Sequence, residues 1–144
     1  MTTRTLKPED RPAWQSMWEG YSAFYGVDPS ASVDNTWQRL LHPSPDGPHG
    51  LVYEDADGSL VGLVHYLFHA QTRLPVPRCY LNDLFTAPAA RGKGVGRALI
   101  EAVYAKADKK GCDQVYWLTQ DFNADARRLY DKVASHTAFI KYQR

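Results

Sequence analysis

The run Arg91-Gly92-Lys93-Gly94-Val95-Gly96-Arg97 joins an apolar stretch, Cys79 to Thr86, to a segment in which Val95, Ala98, Leu99, Ala102 and Val103 recur at helical spacing. Glycines at alternate positions let the backbone take conformations closed to other residues, so strand, tight turn and helix must follow one another closely. Their N–H groups also lack Cβ cover, and a helix starting there adds partial positive charge at its N-terminus. Arg91, Lys93 and Arg97 bring cations to the same turn. The combination reads as a cradle for a diphosphate. A turn needed only for close packing would account for the glycines but not for the cations beside them. Other phosphate-binding signatures do not apply: no Gly-Lys is followed by Ser or Thr at the required spacing, and the glycines do not form G-x-G-x-x-G.

The rest of the chain arranges itself around this strand-turn-helix unit. Thr2 to Leu6 predicts a short strand. Ala13, Trp14, Met17, Trp18, Tyr21, Phe24 and Tyr25 predict an amphipathic helix from Asp10 to Gly26, and a second helix is expected over Ser32 to His42. The breaker cluster from His42 to Gly50 must be a loop. Leu51 to Glu54 and Leu60 to Phe68 flank Asp57-Gly58, a hairpin pattern, and Cys79 to Thr86 forms a third apolar run. After the glycine turn come a helix to about Lys109, a strand over Gln114 to Thr119, a helix bearing Phe122, Ala126, Leu129, Tyr130 and Val133, and a closing strand from Thr137 to Tyr142. The expected order is β-α-α-β-β-β-α-β-α-β, an α/β (α+β) arrangement with helices on both faces of a mixed sheet. With 144 residues, a single domain covering 1–144 is expected.

Composition narrows the function classes. Seventeen Lys and Arg against sixteen Asp and Glu leave a net charge of +1, which gives no global field for nucleic acid or an anionic membrane. No apolar run approaches a membrane span and the N-terminus has no signal-like segment. Cys79 and Cys112 stand far apart without metal-ligand spacing, so neither a metal site nor a disulfide framework is indicated, and the cytoplasm is the expected compartment. His65 and His69, four apart in an expected strand, share a face rather than forming a helical metal pair.

Arg91-Gly92-Lys93-Gly94-Val95-Gly96, followed by the small residue Ala98, closely resembles the acetyl-CoA signature of the GNAT superfamily of N-acetyltransferases. The segment Trp117 to Tyr130 is similar to that family's second cofactor strand, its Asn and its helical Tyr. The resemblance is specific from about Tyr80 to Tyr130, and the C-terminal part is most similar to the branch containing histone, D-amino-acid and polyamine acetyltransferases. It implies a mostly antiparallel GNAT-type sheet and an acetyl-CoA-dependent enzyme acting by direct attack of a primary amine. It further implies that Leu84, Phe85 and Thr86 bind the donor's pantetheine arm through their backbone, that Arg91, Gly92, Lys93, Gly94, Val95, Gly96 and Arg97 hold its diphosphate, that Asn123 touches it, and that Tyr130 protonates the departing thiolate. The acceptor implied is a small amine such as an amino acid. A protein or histone lysine, or a binding module without turnover, are the alternatives.

Physical reading of the same residues leaves several roles open. Asn123 and Tyr130 are seven apart, so on a helix both line one face, but Asn123 also suits a helix N-cap and Tyr130 a core stripe with Leu129 and Val133. Where some polyamine acetyltransferases carry a Glu proposed as base, Asn82 stands here and cannot take a proton. Asp83 is the nearest carboxylate, with water relays through Glu54 or His65 as further routes. Tyr21, Tyr25 and Asp28 offer aromatic faces and a carboxylate to an ammonium group. The family often dimerises through C-terminal strands, and the apolar segment Thr137 to Arg144 predicts a homodimer or larger homo-oligomer.

Overall fold

The computed structural model describes residues 1–144. It opens with β1 (Thr2–Thr5), a short 3-10 turn at Pro8–Asp10, α1 (Arg11–Phe24) and α2 (Val33–Leu41). There follow β2 (His49–Glu54), β3 (Leu60–His69), β4 (Arg78–Thr86), α3 (Val95–Lys110), β5 (Val115–Tyr116) and α4 (Ala124–Val133). The five strands lie in the order β1-β2-β3-β4-β5, antiparallel throughout except for the parallel β4–β5 pair.

Strand alternation decides which helices go where. Leu51 pairs with Val64 and the adjacent Val52 pairs with Leu63, so successive cross-strand pairs point to opposite faces of the sheet. Leu51 and Val64 meet Leu99, Ile100 and Val103 of α3, whereas Val52 and Leu63 meet Trp14 and Met17 of α1 and Trp37 and Leu40 of α2. α1, α2 and α3 each bury residues of the side that their apolar spacing marks out. The β2–β3 turn is the expected hairpin: Gly58 takes φ 85° and the Asp55 N–H donates to the Ser59 carbonyl at 2.8 Å.

The start of α1 is tied to the sheet by charge. Asp10 is buried, and Arg4 of β1 grips its two carboxylate oxygens at 2.7 and 3.0 Å while also reaching Glu54 of β2 at 2.6 Å. The Lys7 N–H donates to Asp10 as well, at 2.7 Å. The Arg4 guanidinium, above all other groups, holds the Asp10 carboxyl below its ordinary pKa. Glu54 is thereby engaged in an ion pair.

The chain differs from expectation at its C-terminal end. No sixth strand forms: Thr137 to Tyr142 is irregular, with Phe139, Ile140 and Tyr142 among the exposed apolar residues. The strand expected over Gln114 to Thr119 contracts to two residues. A strand needs a ladder as well as suitable side chains, and β5 is too short to offer one on its outer edge.

Candidate active site

The sheet loses its regularity within β4. Asp83 faces His65 across the β3–β4 ladder and Leu81 faces Tyr66, so Asn82 is an extra residue on the β4 side. A bulge of this kind bends its strand and re-aims the side chains near it. On the opposite edge β5 pairs with β4 at Cys79 and Tyr80 alone, so from Leu81 to Thr86 that edge has no strand partner. A cleft results, with β4 as one wall. Trp117, just past β5, and Tyr130 of α4 stand across from it with ring centroids 5.3 Å apart.

Asp83 occupies the centre of the site. Its side chain is 13% exposed, and His65 Nδ1 donates to Oδ2 at 3.0 Å while Asn82 Nδ2 donates to Oδ1 at 3.2 Å. Tyr21 and Tyr25 come from α1 and its C-cap, and Tyr80 from β4 itself. Burial and then the nearby Asp83 charge push the Tyr21 and Tyr25 phenols up, and burial, Tyr116 and Asp83 do the same to Tyr80. These phenols therefore keep their protons around a single carboxylate. Tyr130 is pushed up to about 12, chiefly by burial and then by Tyr25. Tyr25 thus feels both Asp83 and Tyr130, which places the two walls of the cleft in one electrostatic neighbourhood. No side chain or carbonyl of the protein pairs with the Tyr130 hydroxyl.

The turn into α3 closes one end of this region. Gly92 and Gly94 have φ of 76° and 84°, and a Cβ built on either meets nothing within 4 Å, so their outer surface is open. The Ala98 N–H makes the first helical bond, to Gly94 O at 3.0 Å, which leaves the Val95, Gly96 and Arg97 N–H groups ahead of any intrahelical acceptor. Gly96 serves contact rather than conformation: a Cβ there would stand 3.1 Å from Leu129 of α4 and 3.8 Å from the Thr86 hydroxyl. Arg91 is held by the Thr86 carbonyl at 3.2 Å with its guanidinium over Phe85, and Lys93 is exposed. Arg97 is paired with Glu101 at 2.9 Å. Open backbone donors and cations together fit an anionic group of diphosphate type.

The model of the acetyltransferase (GNAT) family matches residues 13–134. The chain belongs to the GNAT family of acetyltransferases. Among GNAT relatives, the D-amino-acid N-acetyltransferase HPA3 of Saccharomyces cerevisiae is 36% identical over 145 residues, covering 100% of this chain and 90% of its own length. The thialysine N-epsilon-acetyltransferase of Mus musculus is 35% identical over 79 residues, 53% of this chain and 45% of its own. The aminoglycoside acetyltransferase AAC(6')-Iy, solved with a CoA bisubstrate analogue, superposes with a TM-score of 0.84 at 18% identity, over 99% of this chain and 96% of that one. The protein is thus an N-acetyltransferase with the GNAT fold, and its irregular β4 and glycine turn are parts of a catalytic domain.

Within this GNAT domain the expected site residues divide by location. Tyr21 and Tyr25 lie beside Asp83 and Tyr130 beside Tyr25, and Leu84, Phe85 and Thr86 follow the bulge toward the Arg91–Arg97 turn. Asn123 is the N-cap of α4, its Oδ1 accepting the Ala126 N–H at 3.4 Å; it precedes the helix rather than sharing a helical face with Tyr130. Asp28 is not brought to Asp83: it is exposed in the α1–α2 loop, where its carboxylate accepts the Ser30 N–H at 3.0 Å. His69 turns toward Tyr116, 2.8 Å from its hydroxyl. Tyr80 and the partner of His65, Trp14, escape a reading of the sequence alone. Both sit in apolar patterns that read as core, and nothing in the sequence marks the bulge that sets Asp83 opposite His65.

Proposed function

We propose that the protein transfers the acetyl group of acetyl-CoA to the primary amine of a small molecule, an amino acid or related amine, by direct attack in a ternary complex. The observation that carries this reading is a lone, nearly buried carboxylate ringed by protonated phenols, in a cleft bounded at one end by an anion-binding turn. When bound, acetyl-CoA supplies the acetyl group as an activated thioester. The Gly92–Arg97 backbone, Arg91 and Lys93 hold the diphosphate, and the unpaired edge of β4 at Leu84 to Thr86 is available to the pantetheine amides. Asp83 attracts the ammonium form of the acceptor and takes up the proton it loses, and Tyr21, Tyr25 and Tyr80 supply aromatic faces to the same cation. The amine nitrogen then forms the amide bond as the carbon–sulfur bond breaks, and the second proton of the nitrogen passes to the departing thiolate to give the thiol. Tyr130 donates a hydrogen bond to the departing sulfur.

Relatives named for D-amino acids and for thialysine support a small acceptor, as does the compact ring of phenols about one charge. A panel of D- and L-amino acids, thialysine, polyamines and histone-tail peptides, each incubated with acetyl-CoA and read by CoA release and product mass, tests the proposal. Acetylation of small amines supports it. Acetylation of basic peptides alone transfers the acceptor role to proteins, and absence of turnover with every amine leaves a binding module.

The open edge of the sheet also suits a second copy of the chain. Phe139 is 92% exposed and Tyr142 89%, and they follow α4 beside a groove of about 1250 Å³ that runs along β5 past Tyr104, Tyr116 and Trp117. We propose that a second copy covers the outer side of β5 and the apolar tail in a homodimer, leaving the β4 edge from Leu84 to Thr86 to the donor.

A further inference from the structure

His65 lies in the sheet with almost no exposure, yet it belongs to neither hydrophobic cluster. Both ring nitrogens are engaged: Trp14 Nε1 lies 3.1 Å from Nε2, and Asp83 Oδ2 lies 3.0 Å from Nδ1. An indole N–H donates and never accepts, so Nε2 must present its lone pair to Trp14. A neutral imidazole then carries its proton on Nδ1, where it donates to Asp83. Protonating Nε2 would set N–H against N–H inside a wall made by Trp14 and Trp18, whose ring centroids lie 6.1 and 5.0 Å from that of His65. Trp14 thus both fixes the tautomer and blocks the site at which His65 would act as a base.

We infer that Trp14 and His65 form a buried positioning relay, running from the core of α1 through β3, that holds Asp83 Oδ2 by a donated hydrogen bond and leaves Oδ1 to meet the acceptor amine. Each carboxylate oxygen has two acceptor directions. Oδ1 accepts from the exposed Asn82 amide and the Tyr21 phenol also bonds to the carboxylate, so with His65 three donors of the protein meet four acceptor directions and one is left for the amine. The bulge at Asn82 is what makes the arrangement possible, because it brings Asp83 directly opposite His65. The groups facing the carboxylate are His65 from β3, Tyr21 and Tyr25 from the α1 side, and Tyr80 and Asn82 from β4. His65 touches no substrate in this scheme; it acts through Asp83. The catalytic consequence rests on the proposed role of Asp83 as proton acceptor, whereas the tautomer does not.

Two readouts separate these parts. Nitrogen-detected NMR of the wild-type protein, with the His65 signals assigned by loss in His65→Asn, should show Nδ1 protonated and Nε2 unprotonated. The opposite tautomer overturns the relay. In kinetics, Asn keeps a donor on the atom corresponding to Nδ1 and Leu does not. His65→Leu should lower kcat/KM for the amine roughly 10- to 100-fold, the scale of a hydrogen bond to a charged group, with KM for acetyl-CoA unchanged. His65→Asn should recover most of that loss, and circular dichroism with thermal melts confirms that both variants are folded. Equal loss in both folded variants, or wild-type rates in His65→Leu while Asp83→Asn is impaired, overturns the positioning role. Wild-type rates in Asp83→Asn instead overturn the proposed chemistry, whatever the tautomer.

Discussion

Replacing Tyr130 by Phe removes one oxygen from a side chain that is otherwise packed, and the surroundings of that oxygen set the size of the effect. The ring's contact with Trp117 survives, and the hydroxyl has no protein partner to strand, so stability should change by less than about 1 kcal/mol. The phenol is held at about 12, whereas an ordinary thiol ionises near about 8.5. Full transfer of its proton to a thiolate would therefore run uphill by roughly three and a half pK units, about 5 kcal/mol. The favourable contribution is a hydrogen bond to the sulfur as charge develops there, worth about 1.5–3 kcal/mol for a charged partner. That predicts a fall in kcat of roughly 10- to 150-fold, with both KM values close to wild type. Thiol release at saturating acetyl-CoA and amine, with a single-turnover control that isolates chemistry, measures it. An unchanged single-turnover rate in a folded Tyr130→Phe protein would reduce Tyr130 to a packing residue and refute the reasoning.

The remaining expectations reach other parts of the molecule. Because burial raises Tyr130 rather than lowering it, its phenol stays protonated throughout the neutral range, and the difference between wild-type and Tyr130→Phe ultraviolet titrations should show no inflection below about pH 11. Gly94→Glu puts a carboxylate at the open face of the α3 turn and a side chain at φ 84°; calorimetry should show acetyl-CoA affinity lowered at least about tenfold, at a strain cost of roughly 1–2 kcal/mol. Asp10→Asn breaks the Arg4 grip and should lower the urea unfolding free energy by about 2–3 kcal/mol. Since the folded-state pKa of Asp10 is depressed, that stability is present above the ordinary carboxylate range and lost as pH falls through the depressed value. Sedimentation should give a dimer for the full chain and a monomer after deletion of Thr137 to Arg144.

Whether a feature is legible in the sequence depends on how local it is. Helical spacing at Trp14, Met17, Trp18 and Tyr21, the Asp57-Gly58 hairpin and the glycine turn before Val95 are written within short windows, and all appear where expected. The closing strand over Thr137 to Tyr142 had suitable side chains but depended on a neighbour, and β5 is too short to serve as one. The site shows the same division. The Arg91–Arg97 turn is marked by its glycines and cations and Tyr130 only by the resemblance, whereas the meeting of Asp83 with His65 depends on one extra residue in a ladder, a register property that side-chain pattern does not encode. Asp28 looked suited to bind a cation, but its nearest backbone donor, Ser30, captured it in a local turn.

A crystal structure of the protein with CoA and a small amine that it acetylates tests the central claim most directly. The proposed mechanism predicts the diphosphate against the N–H groups of Gly92 to Arg97, the thiol between Asp83 and Tyr130, and the amine nitrogen within hydrogen-bond distance of an Asp83 oxygen. A diphosphate bound elsewhere, or an amine seated away from Asp83 with the thiol out of reach of Tyr130, would contradict it.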